Sequence, residues 1–159
     1  MKRFFYFFII IVIFWLINSP VLADENSEAI KFFKKYVNAA NNYDNSLLKM
    51  YSPDAKIIRQ VLKPDGELVD VETDTNTYLR QLRISSKAAK LRQYKNNYTH
   101  IKTTKTDKGY KISAMRQPSG ERYKLPFYMI IKKQPDGQWE IVEELMQTKV
   151  QTFLKYAKR

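Results

Sequence analysis

Two apolar-rich runs flank the breaker Pro135-Asp136-Gly137 near the C-terminus. Phe127, Met129 and Ile131 alternate in the first run; Trp139 and Ile141, then Leu145, follow in the second. Period-two alternation on both sides of a tight turn predicts an antiparallel hairpin, and its length places it at the centre of a sheet. Upstream the period changes. Ile30, Phe33, Val37 and Ala40, flanked by Phe32 and Tyr36, recur at helical spacing over about 27–42, with Ser27 as the expected N-cap and Glu28 where the helix dipole favours an acid. A short helical turn with Leu47, Leu48 and Tyr51 follows and is stopped by Ser52-Pro53-Asp54. Ala55–Leu62 reads as a strand, Pro64-Asp65-Gly66 as its turn, and Glu67–Glu72 as the return.

A second helix is predicted over about 76–92, with Leu79, Leu82, Ser86 and Ala89 on one face. Arg80, Arg83, Lys87 and Lys90 repeat that spacing one position later, so a basic stripe lies beside the apolar one. Asn97–Thr106 and Tyr110–Gln117 form two more strands, joined by Asp107-Lys108-Gly109. The four glycines, at 66, 109, 120 and 137, all fall at predicted turns, so none is left for a phosphate-binding loop. The tail from Val150 to Arg159 reads as a short amphipathic helix that packs on the domain, mediates dimerisation or touches a membrane surface. The element order α, short α, β, β, α, β, β, β, β predicts an α+β fold, with a curved antiparallel sheet wrapped on the N-terminal helix.

The N-terminus changes the picture of where this domain works. Lys2 and Arg3 precede an unbroken apolar run, Phe4–Ile17, and Val21-Leu22-Ala23 has the small-residue character of a cleavage site. The expectation is a signal peptide over 1–23, cleaved before Asp24, and a single periplasmic domain over 24–159. An uncleaved inner-membrane anchor is the alternative, although 14 apolar residues fall short of the ~20 a spanning helix needs. With no cysteine, thiol catalysis, thiolate metal sites and disulfide staples are excluded; with His100 as the single histidine, a multi-histidine metal centre is excluded too. No metal and no cofactor is expected.

Net charge is +12, and residues 79–116 carry eleven Lys/Arg against the single acid Asp107. In an exported protein this block suits anionic head groups, anionic cell-wall polymers or an acidic partner, and nucleic acid is disfavoured. The bland alternative is a solvated face that keeps the protein soluble.

Three features together resemble the nuclear transport factor 2-like (NTF2-like) superfamily, which includes polyketide-cyclase-like and ketosteroid-isomerase-like proteins. They are the long first helix followed by Leu47-Leu48-Lys49-Met50-Tyr51-Ser52-Pro53-Asp54-Ala55, the element order, and the strand pair around Asp136-Gly137-Gln138-Trp139-Glu140-Ile141-Val142. The resemblance spans roughly 27–148. It implies a cone with a pocket between helices and sheet, hosting enzymes, ligand binders and interaction modules, so fold does not fix function. On this chain the implied pocket is lined by Phe33, Tyr36 and Val37 of the helix and Phe127, Met129, Trp139 and Ile141 of the hairpin.

The first functional reading is a non-enzymatic periplasmic domain that takes a small apolar or amphipathic molecule or a protein partner, with Arg80, Arg83, Lys87 and Lys90 facing an anionic surface or lipid. A homodimer is also compatible. An isomerase- or cyclase-like enzyme needs an acid in the pocket, and Glu143 is the candidate: continued alternation puts it on the face of Trp139, Ile141 and Leu145, while a bulge between Val142 and Leu145 turns it outward. Tyr36 and Tyr43 could donate into a pocket, Asp44 fits local backbone bonding, and His100 fits a partly exposed strand position. The third reading is a membrane-anchored accessory module of an envelope secretion system, since some such assemblies use this fold behind an N-terminal membrane helix.

Overall fold

The computed structural model describes residues 20–157. Most of the expected signal segment, residues 1–19, therefore lies outside the described residues. Helix α1 (Pro20–Asn41) leads through a 3-10 turn (Asn45–Met50) into strand β1 (Tyr51–Leu62) and strand β2 (Leu68–Thr73). Helix α2 (Thr75–Leu91) follows, then β3 (Asn96–Thr106), β4 (Gly109–Pro118), β5 (Leu125–Lys133), β6 (Trp139–Thr148) and a last 3-10 turn (Gln151–Tyr156). The order is the one read from the sequence.

The strands form one curved sheet in the order β2-β1-β6-β5-β4-β3. The opening hairpin is central in it, as its length suggested. One pairing departs from the antiparallel expectation: β1 lies parallel to β6 and joins the β1–β2 hairpin to the other four strands, so the sheet is mixed. Hairpin signals report only sequence neighbours, and this pairing joins strands about 90 residues apart.

The core fills the space between α1 and the sheet. Ala29, Phe32, Phe33, Tyr36 and Ala39 form the buried ridge of α1. That ridge is turned one position from the expected stripe, so Phe32 and Tyr36 are central rather than flanking. Ser27 is not the N-cap, because the helix already runs through it from Pro20. Against this ridge stand Ile57, Ile112, Phe127, Met129, Ile131 and Ile141, one from every second position of their strands. The rings of Phe33, Tyr36, Tyr98 and Phe127 meet at centroid distances of 5.1–6.1 Å.

Helix α2 is attached differently. Asp74 caps it by accepting from the Thr77 amide at 2.9 Å, and Thr75 and Tyr78 in its first turns are buried. No residue beyond Tyr78 is fully buried. The expected short C-terminal helix is present as the 3-10 helix Gln151–Tyr156, which packs near β1 and β2.

Candidate functional site

A single bulge decides which acid faces the interior. Along the β5–β6 ladder Ile131 pairs with Ile141, but Ile130 pairs with Glu143, leaving Val142 as the extra residue. The extra residue reverses the alternation of everything after it. Glu143 and Leu145 therefore leave the face of Trp139 and Ile141, and Glu144 and Met146 replace them opposite Met129 and Phe127.

Glu143 sits on the outer face with its side chain 14% exposed. It accepts from the Tyr128 hydroxyl at 2.7 Å and pairs with Lys108 at 3.4 Å. Burial alone would raise its pKa, but the Tyr128 and Lys108 bonds hold it below the ordinary carboxylate value. The expected inward orientation of Glu143 is thus corrected, for the reason the sequence itself offered as the alternative.

Glu144 is fully buried, and four side chains converge on it. Its Oε2 accepts from Tyr51 at 2.6 Å and Tyr36 at 3.1 Å; its Oε1 accepts from Arg59 Nη1 at 2.9 Å, with Tyr78 a longer fourth donor at 3.4 Å. These donors come from α1, both ends of β1, and α2, so the carboxylate ties the three layers at one point. The Tyr51 and Tyr78 hydroxyls also lie 3.3 Å apart, and the Arg59 guanidinium carbon stands 4.8 Å above the Tyr78 ring. Desolvation, followed by the Glu144 charge, raises the pKa of Tyr36 and Tyr51 well above the usual phenol value and pushes Tyr78 up to about 12. All three stay protonated donors at neutral pH. For Arg59, burial would lower the pKa, but Tyr78 and Glu144 more than offset it and keep the guanidinium charged.

Beside this cluster lies a cavity of about 220 Å³, below the usual range for drug-sized ligands. Ala40, Leu47, Leu48, Leu82, Ala89 and Met146 give it an apolar wall; Tyr36, Arg59 and Tyr78 form its polar side, and Arg83 contributes from α2. Arg59 is only 8% exposed. Its Nη1 donates to Glu144 and to the Ile58 carbonyl, and the Tyr78 hydroxyl is a further hydrogen-bonding neighbour of the guanidinium.

The expected pocket residues are mostly elsewhere. Phe33, Phe127, Met129 and Ile141 are sealed in the core, and Val37 packs against it. Trp139 donates to Glu28 at 3.1 Å and borders a more open groove with Phe32 and Lys35. Of the seven, only Tyr36 lines the cavity under α2. Large aromatics on facing ridges close the middle of the cone, while the smaller Ala40, Ser86 and Ala89 leave space at its α2 side.

Tyr43 also lines the cavity and donates to the Tyr94 carbonyl at 3.0 Å, while Asp44 accepts from the Ser46 amide at 2.8 Å. His100 is exposed at a bulge of β3 with φ 55°. Arg80, Arg83, Lys87 and Lys90 are all exposed on α2 as expected, and none makes an ion pair among the described residues. Among those residues no cluster of three or more acids and histidines is arranged to hold a metal.

Residue reading missed Glu144, Arg59, Tyr51 and Tyr78. One signal was available: Arg59 lies between Ile57 and Val61, both inward-facing at i±2, and a charge on that face requires an interior partner.

No family model and no curated sequence matches this chain. Its fold does match solved structures. An NTF2-like family protein from Streptomyces avermitilis, provisionally named a dehydratase, aligns at TM-score 0.59 and 10% identity over 80% of this chain and 97% of its own. A protein from Shewanella frigidimarina provisionally named a ketosteroid isomerase aligns at 0.51 and 14%, over 72% and 90%. A chain of the yeast deubiquitinase Ubp3 and Bre5 cofactor complex aligns at 0.55 and 18%, over 75% and 92%. The chain has the NTF2-like α+β fold. At these identities the likeness is one of fold, and the three neighbours have names of different kinds.

Proposed function

We propose that this chain is an exported, periplasmic, non-enzymatic binding domain whose cavity beneath α2 takes a small amphipathic molecule, polar end toward Arg59 and apolar end along Leu47, Leu82, Ala89 and Met146. The observation that carries this reading is Arg59: a charged, nearly buried fork on the polar side of an apolar-walled cavity. Such a group favours a carboxylate or phosphate oxygen, and the low local dielectric strengthens the contact.

Binding is favoured over catalysis by the state of the two acids. A general base needs a free lone pair within reach of the substrate. Glu144 gives its oxygens to Tyr36, Tyr51 and Arg59, and Glu143 lies outside the cone with Tyr128 and Lys108. Export is supported by the Lys2-Arg3 start, the Phe4–Ile17 run and the Val21-Leu22-Ala23 site. The anchored alternative uses the same run, and the mass of the exported chain separates the two: cleavage gives a protein starting at Asp24.

The test uses octanoate as probe, titrated into the folded chain and followed by calorimetry. Saturable binding is expected, weakened at least tenfold by Ala89→Trp, which fills the cavity, and by Arg59→Lys, which keeps the charge and loses the fork. Absence of saturable binding, or equal binding by the cavity-filled variant, overturns the reading.

A further inference from the structure

We propose that α2 docks the domain on an anionic lipid bilayer. Opposite the face that lines the cavity, Arg80, Ile84, Lys87 and Leu91 follow one another at helical spacing, with Lys90 alongside and Arg83 at the border with the cavity. Ile84 is 72% exposed and Leu91 87% exposed, the two highest values among the large apolar side chains of the described residues. Helix Thr75–Leu91 contains no acid, and none of its cations makes an ion pair among the described residues.

A face that serves only solubility has no use for isoleucine and leucine between its cations. That alternation fits the boundary between head groups and acyl chains, where lysine and arginine meet phosphates while apolar side chains enter the layer below. A second copy of the chain is disfavoured as the occupant, because a symmetric contact through this ridge sets like charges against one another. Arg92 and Lys95, both exposed, follow just beyond the helix. The inner side of α2 borders the cavity through Leu82, Ser85, Ser86 and Ala89. Docking therefore brings the bilayer within one helix thickness of the cavity, although it stands whether or not the cavity holds a ligand.

The chain has no cysteine, so Ile84→Cys, Leu91→Cys and, as a control in the β5–β6 turn, Asp136→Cys each accept one environment-sensitive fluorophore on the full chain. Each label reports its own position, so insertion of the N-terminal apolar run does not mimic the signal. With vesicles of mixed phosphatidylglycerol and phosphatidylcholine, blue shifts are expected at 84 and 91 but not at 136, and they are lost at high salt. Combining Arg80→Gln with Lys87→Gln raises the lipid concentration for half the shift roughly 25-fold, from about fivefold per cation. No shift at 84 and 91, or the same shift on phosphatidylcholine alone, overturns the proposal. So does a shift that grows with protein concentration without vesicles, which assigns the ridge to a second copy.

Discussion

Replacing Glu144 by glutamine separates a buried ion pair from an ordinary buried contact. The substitution keeps the volume and one acceptor oxygen but removes the charge opposite Arg59, whose Nη1 lies 2.9 Å from Oε1. Both partners are nearly inaccessible, with side chains 9% and 0% exposed, so solvent compensates the orphaned guanidinium only in part, from the cavity side. Breaking such a pair from one side costs about 3–5 kcal/mol. Part of that loss comes from Tyr51 and Tyr36, which donate to Oε2 and would meet an amide in one of its two orientations. For a chain of this size the loss lowers Tm by roughly 10–15 °C. The assay is urea unfolding followed by tryptophan fluorescence, on Glu144→Gln, on Glu144→Leu, on Arg59→Met, and on Arg59→Met combined with Glu144→Leu. The double variant is expected to be more stable than the sum of the single losses implies, with a coupling of at least ~2 kcal/mol. A Glu144→Gln loss below about 1 kcal/mol, or strictly additive single losses, would refute a desolvated Arg59–Glu144 pair.

Three further outcomes follow from the same geometry. Glu143→Gln leaves stability within about 1 kcal/mol, since the pair with exposed Lys108 is solvent-screened and the amide still accepts from Tyr128; a loss as large as that of its neighbour would show that the two acids have been given the wrong faces. In alkali, the raised pKa of Tyr36, Tyr51 and Tyr78 means the folded chain holds protons that the unfolded chain releases, so their contribution is complete below pH 10 and is lost as pH rises, through about 12 for Tyr78. Urea midpoints that stay level up to pH 9 and then fall, with delayed tyrosinate absorbance, are the expected pattern; unchanged midpoints through pH 12 would contradict it. Gly109→Ala costs more than ~1 kcal/mol, because φ is +132° there and a Cβ would collide with the Ile131 carbonyl; unfolding that matches the parent would place that strand crossing elsewhere.

Much of the architecture could be read directly from periodicity. Both helices, all six strands and their order follow from apolar spacing and from glycines at turns, because these are local signals. Two kinds of information were not local. The parallel β1–β6 pairing is long-range, and nothing in either strand marks its direction. The bulge at Val142 shifts the register by one residue, too little to alter the apolar pattern visibly, yet enough to exchange Glu143 for Glu144 at the centre of the molecule. The cavity was displaced for a third reason. Alternating large residues mark a face as inward but do not distinguish a wall from a filled core; Phe33 and Phe127 fill it, and the space opens where Ala40, Ser86 and Ala89 are small. Of the cluster's tyrosines only Tyr36 was legible as a donor, whereas Arg59 and Glu144 needed each other to be recognised.

The binding reading is tested most directly by native mass spectrometry of the chain released gently from the envelope of the cells that make it. A species starting at Asp24 with a small non-covalent adduct is expected, and the adduct should be absent from Ala89→Trp. A ligand-free chain of full mass, recovered with the membranes, would contradict the carrier and leave an anchored interaction module in its place.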